Sequence, residues 1–180
     1  LLYPMHIALL ELIIDPACSV VFEAEPSEEG IMRRPPRKID ESLFGKKAVI
    51  FSLLQGLIVL SVVVTVYYWE MGEHNQDSAR ALAFITLVIS NLGLILSNRS
   101  QSQSILKTIF VPNPTTWWVV VGTVIFLTLA LTVPFLQTLF RFGPLHTPDL
   151  MICLSAAIAC VAMLEILKAK PVRYLLRLNL

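Results

Sequence analysis

The chain has 180 residues, 56% of them hydrophobic and 15% charged, with a formal net charge of +1. A mean hydropathy of +0.71 makes it a membrane protein and excludes a water-soluble domain. The net charge points to no partner and nothing calls for nucleic acid; the information lies in where the charges fall.

Five apolar stretches stand out, at about 3–22, 45–69, 79–97, 115–139 and 149–168, each close to the ~20 residues a helix needs to cross hydrocarbon. They predict an all-α membrane protein, a bundle of about five transmembrane helices in the lipid bilayer. The opening Leu-Leu-Tyr-Pro has neither a methionine nor a basic n-region. No signal peptide is therefore expected, and the chain reads as a piece of a longer protein.

The first stretch holds the most informative residues. Glu11 and Asp15 stand one helical turn apart in Ala-Leu-Leu-Glu-Leu-Ile-Ile-Asp-Pro-Ala, with no basic residue near them. An i, i+4 spacing puts both on one helix face. A carboxylate at mid-bilayer costs roughly 2.5–3.5 kcal/mol on the insertion scale, so the pair offsets much of what the surrounding apolar residues contribute. That face should meet protein and a cation rather than lipid. Pro16 follows Asp15. It has no N–H to give the Leu12 carbonyl, and it disfavours the α conformation at Asp15. The helix is therefore expected to break or kink at Asp15-Pro16. Glu11, Asp15 and the Leu12 backbone carbonyl would then form a cluster of hard oxygen ligands, suited to Ca2+, Mg2+, Mn2+ or alkali ions. The structural alternative is that the acids are protonated or paired with residues outside this chain. The cluster supplies at most about five oxygens where calcium takes roughly six to eight, so other spans or other chain must complete it. His6, about one turn before Glu11, reads as a packing or cavity-lining residue, with proton shuttling as the alternative. Cys18 is a weak candidate for a soft metal, being one thiol beside carboxylates.

Residues 23–44 form a polar linker on the cytoplasmic side. It opens with Glu23, Glu25, Glu28 and Glu29 and turns basic at Arg33, Arg34, Arg37 and Lys38. Pro35 and Pro36 favour an extended course there. By composition alone the linker is a solvated charge run.

In the second and third stretches the polar residues of interest are Gln55, beside Gly56, then Thr86, Ser90 and Asn91. Ser90, Asn91 and Gln55 are candidate secondary ligands, with interhelical hydrogen bonding as the plainer role. Tyr67, Tyr68 and Trp69 close the second stretch, and Trp117 and Trp118 open the fourth, as headgroup-level belts do. Glu165 and Lys168 read as a pair at the end of the last stretch. Cys18, Cys153 and Cys160 all fall in apolar stretches and read as reduced thiols, not a disulfide framework.

Of the fourteen Lys and Arg residues, all but Arg80 and Arg141 fall on one side of the predicted spans. The positive-inside rule makes that side, with the C-terminus, cytoplasmic. No phosphate-cradling glycine loop, metalloprotease helix or nucleophile elbow is present, so no catalytic residue is expected within the chain.

Several motifs carry a family resemblance: Glu-Leu-Ile-Ile-Asp-Pro at 11–16, Phe-Glu-Ala-Glu-Pro at 22–26, Ile-Met-Arg-Arg-Pro-Pro-Arg at 31–37 and Leu-Glu-Ile-Leu-Lys at 164–168. With them the chain resembles, over nearly its whole length, the C-terminal transmembrane region of P-type cation-transporting ATPases of the calcium-pump-like branch. The resemblance implies helices six to ten of a ten-helix pump, so that residues 1–180 are its C-terminal cation-transport membrane domain. Asp15 then matches the central transport-site aspartate and Glu11 the second ligand position on an unwound sixth helix. Ile14 stands where calcium pumps often carry threonine. Arg33, Arg34, Pro35, Pro36 and Arg37 match the loop that couples the ion site to the phosphorylation domain. The phosphorylated aspartate and the sites for ATP and Mg2+ would lie in upstream chain, whose helices and cytoplasmic domains are the expected partners.

The chain departs from that family pattern twice. Two-site calcium pumps carry a carboxamide where this chain has Glu11, and the acid pair looks more like alkali-ion pumps. The eighth helix of such calcium pumps supplies a carboxylate, whereas Leu87-Val88-Ile89-Ser90-Asn91 has none. The expectation is the ion-binding part of an ATP-driven pump with a single site for a divalent, Ca2+-like cation and proton counter-transport through Glu11, in the plasma (inner) membrane. The alternatives are an alkali-cation or proton pump, or a non-catalytic channel or scaffold subunit.

Overall fold

The computed structural model describes residues 2–27, 45–73, 76–99, 105–108, 111, 113–143 and 147–169. The apolar stretches are helices: α1 (Pro4–Glu23), α2 (Lys46–Glu73), α3 (Gln76–Asn98), a short α4 (Ile105–Thr108), α5 (Pro114–Thr132), α6 (Pro134–Phe140) and α7 (Thr147–Lys168). Among the described residues α1, α2, α3, α5 and α7 are long and apolar enough to cross a membrane. The chain is an integral, multi-pass, all-α membrane protein. A proline opens each of α1, α5 and α6, at a position where its missing N–H leaves no helical bond unmade.

The bundle is organised around α3. Of its most apolar window 67% is buried within the chain, against 22% for α1, α2 and α5. Its small residues Ala79, Ala81, Ala83 and Gly93 let neighbouring backbones come close. A Cβ on Gly93 would collide with the Val161 side chain of α7. On one side α2 and α7 close over α3 through Val59, Val63, Ala83, Cys160 and Leu164, and through Val66, Leu82, Ile85 and Cys153. On the other side Phe84 and Val88 of α3 meet Leu127, Ala130, Phe140 and Phe142, with Leu9 and Leu10 of α1 packed on them. Ala17 and Val21 of α1 continue that contact onto Ile95. Leu53, Leu57 and Leu60 of α2 and Ile158 and Ile166 of α7 remain exposed, as helices facing lipid require.

Helices α1, α3 and α7 finish at one end of the bundle, which also holds the start of the linker and is called the linker end below. Polar contacts lace it. Gln55 Nε2 donates to Asn98 Oδ1 at 2.9 Å. Ser97 Oγ donates to Glu165 Oε1 at 3.0 Å, and the Ile105 N–H to Glu165 Oε2 at 3.1 Å. Lys168 pairs with Glu165 at 3.5 Å and also donates to the Ser97 carbonyl. The expected Glu165–Lys168 pair is thus part of a tie between α7, α3 and α4. None of the three cysteines is in a disulfide.

Two proline expectations are corrected. Helix α1 is not broken at Asp15-Pro16: it runs from Pro4 to Glu23 with Pro16 inside it. A proline removes one ladder bond and not the helix. Packing on both sides of it, Leu9 and Leu10 before and Ala17 and Val21 after, holds both halves of the helix against the bundle. The break falls instead in the fourth stretch, expected to run unbroken over 115–139. Val133 is extended (φ −81°, ψ 116°) and separates α5 from α6. Here the conformation that proline favours in its predecessor prevails. The Gln137 side chain donates to the Leu131 carbonyl across the break, satisfying one acceptor of the last turn of α5.

Candidate cation site

Helix α1 turns one face to the bundle and the other away from it. His6, Ala17 and Val21 are buried, whereas Glu11, Leu12 and Asp15 are exposed, with Leu12 at 72%. The two carboxylates, one turn apart, therefore stand on the side of α1 that the described residues leave uncovered. Among the described residues no group of three His, Cys, Asp or Glu side chains could hold a metal ion. What α1 presents on that side is two carboxylates and, between them, a carbonyl whose i+4 partner is proline.

The candidate secondary ligands separate. Gln55 is paired with Asn98 at the linker end. Ser90 is fully buried and lies against the Cys160 thiol of α7, as Thr86 lies against Cys153. The structure assigns these residues to contacts between α2, α3 and α7. Asn91 is half-buried and stands on α3 in register with Phe84, Val88 and Ile95, which pack in the same clusters as α1. It alone of the three is placed towards the acid-bearing helix. The coupling residues Arg33, Arg34, Pro35, Pro36 and Arg37 lie outside the described residues.

Polar side chains pin α1 at both ends. At the far end His6 is fully buried. Its Nδ1 accepts the Tyr3 N–H at 2.9 Å, as a side chain in the first turn reaches back to a cap amide. Its Nε2 lies 2.7 Å from the Phe140 carbonyl, and its ring stacks on Phe142 at 5.2 Å. The arginines of that end, Arg80 and Arg141, both lie over the Tyr3 ring, at 4.4 and 5.4 Å, within cation–π range. Arg80 also donates to Asp77 Oδ1 at 2.6 Å and to the Arg141 carbonyl at 3.3 Å. His6 is thus a packing residue with two hydrogen bonds.

At the linker end the Arg99 guanidinium grips Glu25 with Nε at 2.7 Å and a terminal nitrogen at 3.1 Å. Asn113 Nδ2 donates to Glu25 Oε2 at 2.9 Å and to the Val21 carbonyl at 3.3 Å. The Asn113 Oδ1 accepts from the Thr116 N–H and so caps α5. Sequence reasoning missed this network. Asn113-Pro114 was a readable helix start, but nothing local ties Glu25 to a residue 74 positions away.

The family model described as cation transporting ATPase, C-terminus, matches residues 1–169. The human calcium-transporting ATPase type 2C member 2 is 24% identical over 166 residues, which are 91% of this chain and 18% of that protein. The Bos taurus calcium-transporting ATPase type 2C member 1 is 25% identical over 91% of this chain and 17% of its own length. The calcium-transporting ATPase 1 of Lactococcus lactis is 25% identical over 92% of this chain and 19% of its own. The chain thus spans less than a fifth of the length of these relatives.

Proposed function

Since the chain belongs to the cation transporting ATPase C-terminus family, we propose that it forms the ion-binding part of the membrane domain of an ATP-driven P-type pump. The pump moves a divalent, Ca2+-like cation through a site that uses Glu11, Asp15 and the Leu12 carbonyl. The observation that carries this reading is the uncovered acidic face of α1. Two adjacent carboxylates facing hydrocarbon would cost about 5–7 kcal/mol, so in the whole protein other helices and a cation must meet them. The calcium-transporting relatives favour Ca2+ as the ion.

The chemistry follows from the donors on that face. Carboxylates and a carbonyl are hard donors that select alkaline-earth and alkali ions over soft metals. Asp15 contributes charge next to the carbonyl that Pro16 frees. Glu11, one turn away, completes the pair or carries a proton in exchange. ATP and Mg2+ are handled by upstream domains, and the segment around Arg33 to Arg37 couples them to α1. The distribution of basic residues supports a cytoplasmic linker end and C-terminus, and the proposed host is the plasma (inner) membrane. The second reading is an alkali-ion pump. It is favoured by the acid at Glu11 and by the lack of a carboxylate over residues 87–91 of α3.

The test is the ATPase activity of the full-length protein against Ca2+, Mn2+, Na+ and K+. Stimulation by Ca2+ or Mn2+ that Asp15→Asn abolishes supports the reading. A response to Na+ or K+ alone shifts it to the alkali-ion pump.

A further inference from the structure

The acid-bearing helix meets the linker at Glu25, two residues past the end of α1, and Glu25 is the hub of a buried polar network. Its carboxylate accepts three hydrogen bonds, two from Arg99 and one from Asn113. The Arg99 side chain is only 2% exposed and that of Glu25 16%. Arg99 continues the last turn of α3 through its N–H to the Ile95 carbonyl, and its guanidinium also donates to the Val111 carbonyl. Asn113 caps α5 while holding the last turn of α1 by the Val21 carbonyl. One carboxylate thus joins the ends of α1 and α3 to the start of α5.

Charge-assisted bonds with a forked guanidinium fix geometry as well as distance. Without Glu25 the Arg99 cation would be left buried beside neutral acceptors, a state the chain can relieve only by moving α1, α3 or the segment before α5. Asp15 lies eight residues before the end of α1, on the order of 12 Å along the axis, and α1 is continuous between them. A displacement of its linker end is therefore carried along α1 to the acids, past Pro16, where one ladder bond is missing.

From this network we infer that Glu25, held by Arg99 and Asn113, is a positioning residue for the cation site. It anchors the linker end of α1 so that Glu11 and Asp15 keep their height and facing, and it is the point through which a pull on the linker reaches them. The inference rests on the pump reading above.

The test uses the full-length protein reconstituted in lipid, with ATPase activity titrated against free Ca2+ and, separately, Mn2+. Glu25→Gln and Arg99→Gln should each weaken the apparent cation affinity about 2–30-fold, the scale on which residues that touch no ligand modulate a site through packed elements. The maximal rate should change far less. The double variant should be no weaker than either single one, because the two residues act as a unit. Glu25→Asp keeps the charge beside Arg99 and should fold with an intermediate affinity, so the inference stays testable if the glutamine variants fail to assemble. Glu165→Gln breaks a tie of similar burial at the same end that does not involve α1, and should leave the affinity unchanged. An unaltered affinity in Glu25→Gln or, where that variant does not assemble, in Glu25→Asp overturns the proposal. So does an equal loss in Glu165→Gln. A wild-type protein with no cation-stimulated activity would overturn the pump reading itself, an outcome distinct from a stimulated enzyme whose affinity these substitutions do not move.

Discussion

His6 Nε2 lies 2.7 Å from the carbonyl oxygen of Phe140, a bond that joins the first turn of the acid-bearing helix to the last residue of α6. Because Nδ1 accepts from the Tyr3 N–H, the proton sits on Nε2 and the ring is the neutral tautomer. The surrounding Phe84, Phe140 and Phe142 rings would accept another aromatic in its place. His6→Phe should therefore keep the packing but leave the buried Phe140 carbonyl and the part-buried Tyr3 amide without their partner, at a cost of about 1–3 kcal/mol. His6→Ala should cost more by adding a cavity. Thermal melts of the full-length protein in detergent give the order wild type, Phe, Ala. A phenylalanine variant as stable as wild type would reduce His6 to a space-filling role.

Pro16 offers a separate handle on the acids. A proline inside a helix costs about 3 kcal/mol relative to alanine, and α1 bears it without breaking. Pro16→Ala restores an N–H for the Leu12 carbonyl. It should raise the melting temperature while weakening apparent cation affinity, because the carbonyl is withdrawn from the ion. A more stable protein with unchanged affinity would remove the Leu12 carbonyl from the ligand set.

The two prolines also show how far the sequence could be read. Hydropathy located α1, α2, α3 and α7 to within a few residues but merged α5 with α6, because ~20 apolar residues in lipid have few alternatives to a helix and hydropathy does not register a break within them. The rule for the residue before proline applies equally to Asp15 and Val133. It fails at the first, where α1 is packed on both sides of Pro16, and holds at the second, where the chain departs from α5. Tertiary packing decided between them. The acid pair was legible because charge in an apolar run is costly. Its separation from Ser90 and Gln55 was not, since helical period alone does not say which neighbour a polar residue faces. The Glu25–Arg99 pair was illegible for the same reason: each charge alone looks like an ordinary interfacial residue.

Gly93 and Val161 test the close approach of α3 and α7. A Cβ on Gly93 would meet the Val161 side chain, so Gly93→Val should destabilise the domain by about 1–3 kcal/mol through overpacking. Val161→Ala in the same chain should recover part of that loss, because the two volumes compete for one space. Differential melts of the two single variants and the double variant measure the coupling. Strict additivity would show that the helices can separate freely at this level.

Asn113 separates helix capping from clamping. Its Oδ1 caps α5, while its Nδ2 holds Glu25 and the Val21 carbonyl. As an N-cap, aspartate is at least as good as serine, so if capping were the whole role Asn113→Asp would match or exceed Asn113→Ser. The clamp predicts the reverse. An aspartate keeps the cap but brings a second carboxylate against Glu25 and leaves the Val21 carbonyl without its donor. Asn113→Asp should therefore melt below Asn113→Ser, by a margin on the order of 1–3 kcal/mol set by the unpaired buried groups. Adding Glu25→Gln should narrow that margin, because the amide removes the repulsion and supplies a donor. If the aspartate variant is the more stable one with Glu25 intact, Asn113 serves α5 alone and the tie between α1 and α5 contributes nothing measurable.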